Sequence, residues 1–224
     1  KLLNLISLFY LLFMIVACGG GGGGSSTSTR TDFPLRQALR DYNSNSYELN
    51  FTVSGSINGV NVSGSGSLIS SVPVADNFEG KTGFSSISSF TATVTGNGAT
   101  FPIESSSTNY FDSNYLDIGY TDSESYNVTI PTQVPVSVSL NDTGELGIET
   151  QYTDSSKTTM TGTTEGSIEV VSQDGNTVMI ELTEINYDPD HIEVGTDIST
   201  YSLTKTGIIK LVSIQSTSSS GILT

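Results

Sequence analysis

The sequence predicts an all-β chain: one antiparallel domain of about a dozen strands, a sandwich or an open, strongly curved barrel, with one short helix at its start. Three observations predict it. From Tyr47 onward apolar residues recur with a period of two, the mark of half-buried strands. Asn-Gly and Asp-Gly steps punctuate that alternation as hairpin turns. The alternate, outward positions are mostly Ser or Thr, which leaves a single apolar face per strand.

Composition bounds the chemistry. The chain has 224 residues, 8 Lys+Arg against 23 Asp+Glu, one His, one Cys and no Trp. A formal charge of −15 argues against nucleic acid, because phosphate binding needs clustered cations. One Cys and one His cannot build a zinc site from such ligands, and one Cys cannot form an internal disulfide. Apolar residues spread along the whole length exclude wholesale disorder.

Residues 1–17, KLLNLISLFYLLFMIVA, start with a cation and continue as an apolar run ending on the small Ala17. That is the layout of a secretory signal peptide, and the run is short for a membrane-spanning helix of roughly 20 residues. The chain opens on Lys1 rather than Met, so the leader is read as trimmed by its first residue or by more.

Ile15-Val16-Ala17-Cys18 resembles the lipobox of bacterial lipoproteins, with Ile15 in place of the commoner Leu. The resemblance covers the first 18 residues. It implies cleavage between Ala17 and Cys18, a diacylglycerol on the Cys18 sulfur and an acyl chain on its new amino group. A thiolate is the nucleophile that such a lipid transfer requires, and several acyl chains anchor where one is marginal. In the same family an Asp after the Cys commonly retains the product at the inner membrane. Gly19 therefore implies the outer membrane, on its periplasmic or its surface face.

Residues 18–31 follow as the lipidated Cys and a Gly/Ser tether with an r.m.s. reach of about 20 Å. The tether carries no apolar side chain, and the Gly run lacks the Lys-Ser/Thr of a phosphate loop. Loss of Lys1 with the signal makes the charge of −15 one unit more negative, so a tether rather than surface adhesion holds the domain at an anionic membrane.

The folded domain is expected over 32–216, with 217–224 as a loose tail. Leu35, Ala38, Leu39 and Tyr42 fall on one helical face, with Pro34 in the first turn and Asp32 as a cap. Asn58-Gly59 then closes a hairpin that pairs Ile57 with Val60, Gly55 with Val62, Phe51 with Gly66 and Leu49 with Leu68. Asn97-Gly98 sets Val94 against Phe101 and Ala92 against Ile103. Val134, Val136, Val138 and Leu140 alternate, as do Leu146 and Ile148. A three-residue loop at Gln173-Asp174-Gly175 pairs Val170 with Val178, Ile168 with Ile180 and Gly166 with Leu182. Tyr201-Leu203 and Ile209-Leu211 make the last pair.

Candidate sites are sparse. Asp112, Asn114, Asp117, Asp122 and Glu124 gather enough oxygen ligands for Ca²⁺, but Leu116 and Asp117 occupy positions where an EF-hand loop needs a ligand and a Gly. Loops of an acidic protein gather carboxylates without a metal, so the segment is read as a solvated loop. His191, in Asp188-Pro189-Asp190-His191, offers an acid–base group beside carboxylates, yet no G-x-S-x-G nucleophile motif occurs and Asp-Pro-Asp is a good turn. Catalytic residues and cofactors other than the lipid on Cys18 are not expected.

The sequence thus reads as a non-enzymatic, monomeric, lipid-anchored envelope protein with a structural or binding β domain. A second reading is a carrier of an apolar ligand, since a short helix before a curved antiparallel sheet is similar to the element order of the periplasmic lipoprotein carriers and their outer-membrane receptor. A carbohydrate-binding or adhesin module comes third, a hydrolase last. A cavity lined by Leu, Ile and Phe favours the carrier, and an exposed row of Tyr favours sugar or protein partners.

Overall fold

The computed structural model describes residues 31–131 and 134–224. Ala17, Cys18 and the Gly tether lie outside the described residues. After helix α1 (Leu35–Asn43) come β1 (Tyr47–Ile57), β2 (Val60–Ser70), β3 (Val74–Phe78), β4 (Lys81–Gly96), β5 (Ala99–Phe111), β6 (Asp117–Thr121) and β7 (Tyr126–Pro131). They are followed by β8 (Thr143–Tyr152), β9 (Met160–Asp174), β10 (Thr177–Tyr187), β11 (Glu193–Thr204), β12 (Ile209–Ser218) and β13 (Gly221–Leu223).

Every pairing is antiparallel, and all but two join strands consecutive in sequence; those two close the sheet. β2 pairs with the second half of β4, and β13 pairs with β1. Twelve strands therefore form a closed barrel, while β3 carries the β2 edge onward along the first half of β4. Closure removes the free edges that an open sheet would present. The outward rows of β1, β2 and β4 carry mostly polar side chains, among them Asn50, Thr52, Ser63, Ser65, Thr91 and Thr93, with Ile69 and Ile87 exposed in the same rows.

The first two hairpins have the expected registers, Phe51 opposite Gly66 and Ala92 opposite Ile103. Gly66 is needed there, because a Cβ would stand 2.5 Å from the Phe51 ring. The third hairpin differs. Its turn is the two-residue Gly175-Asn176, and Val171 is bulged out, so Ile168 meets Leu182, Val170 meets Ile180 and Gly166 meets Glu184. Gly175 takes a positive φ of 46° as the first turn residue, which suits Gly there, and the bulge restores the inward phase of Ile168 and Val170.

Two further corrections concern segments read as strand or tail. Residues 134–140 are not a strand: Val134 and Val138 are buried while Val136 and Leu140 are exposed, and the segment makes the isolated Phe33–Val138 bridge before Asn141 and Asp142 bond the Val170 backbone. Residues 217–224 are not loose, since they hold the end of β12 and all of β13. Asp32 does not cap α1; Pro34 is the N-cap residue, and Asp32 accepts a hydrogen bond from Ser139 Oγ.

The helix and residues 134–142 together plug one mouth of the barrel. Leu35, Ala38 and Leu39 join Val170, Val178, Leu203 and Ile209 in the main apolar cluster. The Arg36 guanidinium donates to the Val134 carbonyl, which ties the helix to the segment. Leu39 is 3% exposed. Leu39→Ala is expected to destabilise the fold by about 2–5 kcal/mol, read as a lowered midpoint in urea with an unchanged slope.

Candidate functional site

Two features of the barrel have no counterpart in a simply filled core. The first is a slot in the wall. β13 lies between β1 and β12 but spans three residues, and β1 and β12 do not pair with each other elsewhere. Ser54 and Thr224 exchange two backbone hydrogen bonds of 2.8 Å. Beyond that point a cavity of about 580 Å³ opens between the two strands. Successive residues of both walls line it, Leu49–Ser54 and Leu211–Ile214, so it runs through the sheet at the level of the backbone.

The inner lining of the slot is apolar. Leu49, Phe51 and Val53 alternate inward along β1 and Leu68 follows on β2. On β12 Leu211 and Ile214 both pack inward although three residues apart, because Val212 is bulged between them. Leu223 of β13 closes one end. Toward the other end Tyr42 of α1 stacks on Tyr47, ring centroids 4.8 Å apart.

The second feature is a layer of buried acid. Along β10 the inward row Val178, Ile180, Leu182 continues to Glu184, and along β11 Leu203, Tyr201 and Ser199 continue to Asp197. Glu184 and Asp197 are direct cross-strand partners. Glu149 joins them because Leu146 is bulged on β8, which shifts the inward phase by one residue. Asp117 enters from the start of β6. All four are at most 4% exposed.

No cation offsets this charge among the described residues. Asp117 accepts from Thr129 Oγ1 at 3.0 Å, Glu149 from Gln151 Nε2 at 3.5 Å and Asp197 from Asn186 Nδ2 at 2.7 Å. Both oxygens of Glu184 are buried without a partner. Burial is the main force that raises all four carboxyls, and mutual repulsion adds to it for Asp117 and Glu184. Glu149 is pushed up to about 8, and Asp197 is raised despite its bond to Asn186. Burial favours the neutral form of each of these acids, and Glu149, at about 8, keeps its proton at neutral pH. The four do not converge on one point as a metal site would: no group of three or more acidic, His or Cys ligands fits an ion among the described residues.

The structure scatters the calcium candidates. Asp117 is inside the barrel, while Asp112 and Asp122 cap their own turns through the backbone N–H groups of Asn114, Leu116, Glu124 and Ser125. Asn114 and Glu124 are exposed. His191 sits exposed on the Asp188–Ile192 turn, its ring stacked on Tyr187 at 4.3 Å rather than set in a pocket. Among the described residues no Tyr is in the exposed class, and Tyr110 and Tyr126 pack on Phe78.

The sequence reading missed both the slot and the acid layer. The inward parity of Val178, Ile180 and Leu182 could have carried Glu184 inside, and Leu203 and Tyr201 could have carried Asp197. The Leu146 bulge that admits Glu149 leaves no such signal. No family model, curated protein or solved structure matches the chain.

Proposed function

We propose that the chain is a lipid-anchored envelope protein whose barrel is a binding domain, with the slot between β1 and β12 as the ligand seat. One observation carries the seat: a cavity of about 580 Å³ in the barrel wall, floored by Leu49, Phe51, Leu68, Leu211 and Ile214. Ligand sites are concave, mostly apolar and bounded by a few polar groups, as this one is. The cavity favours the binding and carrier readings over the structural one.

The anchor rests on the likeness of Ile15-Val16-Ala17-Cys18 to a lipobox, and the outer-membrane address on Gly19. Two measurements test the two halves. Labelling cells with a palmitate analogue is expected to mark the wild type and not Cys18→Ala; label on the variant overturns the anchor. For the seat, the neutral dye Nile red is expected to bind saturably at one site, with its emission shifted to the blue. Ile214→Lys, which places a charge on the slot floor, is expected to weaken that binding at least tenfold, measured at a temperature where circular dichroism shows the variant folded. Equal binding by the variant overturns the seat.

A further inference from the structure

The acid layer stands toward the barrel mouth opposite α1. One inward position separates it from that mouth on three strands: Gln151 beyond Glu149, Asn186 beyond Glu184 and Gly195 beyond Asp197, all half-buried and none apolar. Twelve strands enclose more room than the eight whose side chains just fill a barrel, so these inward rows border space for a ligand. The segments around the same mouth, 122–125, 153–159 and 188–193, carry Asp122, Glu124, Asp154, Asp188, Asp190 and Glu193. Against them stand Lys157, which pairs with Glu79, and His191. A mouth ringed mainly by one sign of charge draws in the opposite one. β13 starts at this rim and runs away from it, and Thr31 accepts from Ser139 Oγ beside α1, so neither end of the described chain runs to this mouth.

Inside, the unmet groups are acceptors. Both Glu184 oxygens, Glu149 Oε2 and Asn127 Oδ1 are buried without a partner among the described residues. Asn127 is uncharged, so gaining a proton does not relieve it. Its Nδ2 donates to Ser125 Oγ, and the residue is 0% exposed on the inward row of β7 beside Thr129, which donates to Asp117. Glu184 faces Asp197 across the β10–β11 pair, is repelled by Glu149 and Asp117 from β8 and β6, and acts on Tyr201 of β11. Asp122 acts on Glu149 from the rim. Unmet acceptors among carboxyls call for a ligand that brings N–H donors and positive charge together.

We infer that this half of the barrel binds a linear aliphatic polyamine, drawn in through the mouth opposite α1, with its ammonium groups on Glu149, Glu184 and Asp197. Among the described residues the acids do not converge on one point, so a single metal ion does not meet them together. Glu149 on β8 and Glu184 on β10 stand two strand spacings apart, about 9.6 Å, while Glu184 and Asp197 stand one apart. Amines joined by methylene spacers follow that spread. The methylenes lie against Leu146 and Leu182, the next inward side chains on β8 and β10. None of the four acids lines the slot, so this is a second site.

Spermidine, a linear triamine, is the probe. At pH 7 and low salt the full chain is expected to bind one per barrel and to release protons as it does. An ammonium group on Glu149 takes the place of the proton that this carboxyl, at about 8, holds without it. Calorimetry in buffers of different ionisation enthalpy reads both quantities. Glu184→Gln and Glu149→Gln, which keep the shape of the side chain, are expected to weaken binding at least tenfold. Glu169→Gln, on the exposed outer wall, is expected to bind as the wild type does. Equal binding by Glu184→Gln, binding without proton release, or displacement of spermidine by an equal concentration of Mg²⁺ overturns the inference. So does a failure to bind, which leaves the layer to water. None of these results bears on the slot, which Nile red reads separately.

Discussion

Glu149→Gln is expected to raise the melting midpoint at pH 8 and to flatten its dependence on pH, with Glu184→Gln acting in the same direction. The carboxyl of Glu149 stands at about 8 in the folded barrel, against 4.5 ordinarily. Between those values the folded chain keeps a proton that the unfolded chain has released. Stability therefore falls as pH rises through that window, by about 1.4 kcal/mol per pH unit for each such group. Across the full window Glu149 alone accounts for about 5 kcal/mol, a large share of the 5–15 kcal/mol that holds a typical domain together. Asp117 and Glu184 are raised well above their usual range for the same reason, and Asp197 is raised too.

The barrel is accordingly expected to be most stable near pH 5 and to weaken toward pH 8, the opposite of a protein whose carboxylates are paired with cations. Gln keeps the shape of Glu, cannot ionise, and brings an amide N–H that can donate to a neighbouring carboxyl. At two to four degrees per kcal/mol for a chain of this size, the Glu149 variant is expected to gain on the order of 10 °C at pH 8 and little at pH 5. A calorimetric series across that range checks it. A wild-type midpoint that climbs steadily from pH 5 to pH 8 would show that Glu149 does not keep its proton in the folded state.

The acid layer also shows where sequence reasoning reaches and where it stops. The hairpins at Asn58-Gly59 and Asn97-Gly98 were legible because turn chemistry and alternation agree with no bulge between them. A bulge changes the phase of everything beyond it. Val171 displaced the expected partners of Val170 and Ile168, and Leu146 turned Glu149 inward and Ile148 outward. Residues 134–140 alternate in the sequence but are buried every fourth residue, because they cross the barrel mouth under α1 rather than join the wall. The slot was illegible for another reason. It depends on which strand stands between β1 and β12, a contact between the two ends of the domain that no local pattern encodes.

That long-range contact carries the other large effect. Deleting Gly221–Thr224 is expected to lower the melting midpoint by on the order of 10 °C. Among the described residues β13 is the only strand joining β1 to β12, so its loss turns a closed barrel into an open sheet with two free edges. Leu223 is 7% exposed, and its burial is worth about 2 kcal/mol before the ladder is counted. Gly221 and Gly55 make the close approach possible, since a Cβ on either would strike the opposite backbone at 1.8 or 2.1 Å. Two point variants separate closure from a generic tail effect. Leu223→Ala is expected to cost about 2–5 kcal/mol, whereas Ile222→Ser, on the exposed face, is expected to stay within about 0.5 kcal/mol of wild type. The truncated chain should also scatter light at concentrations where the wild type does not, because unpaired edges template pairing with other chains. A deletion that melts with the wild type and stays monomeric would mean that the last four residues hold nothing closed, and the slot would lose the strand that defines its width.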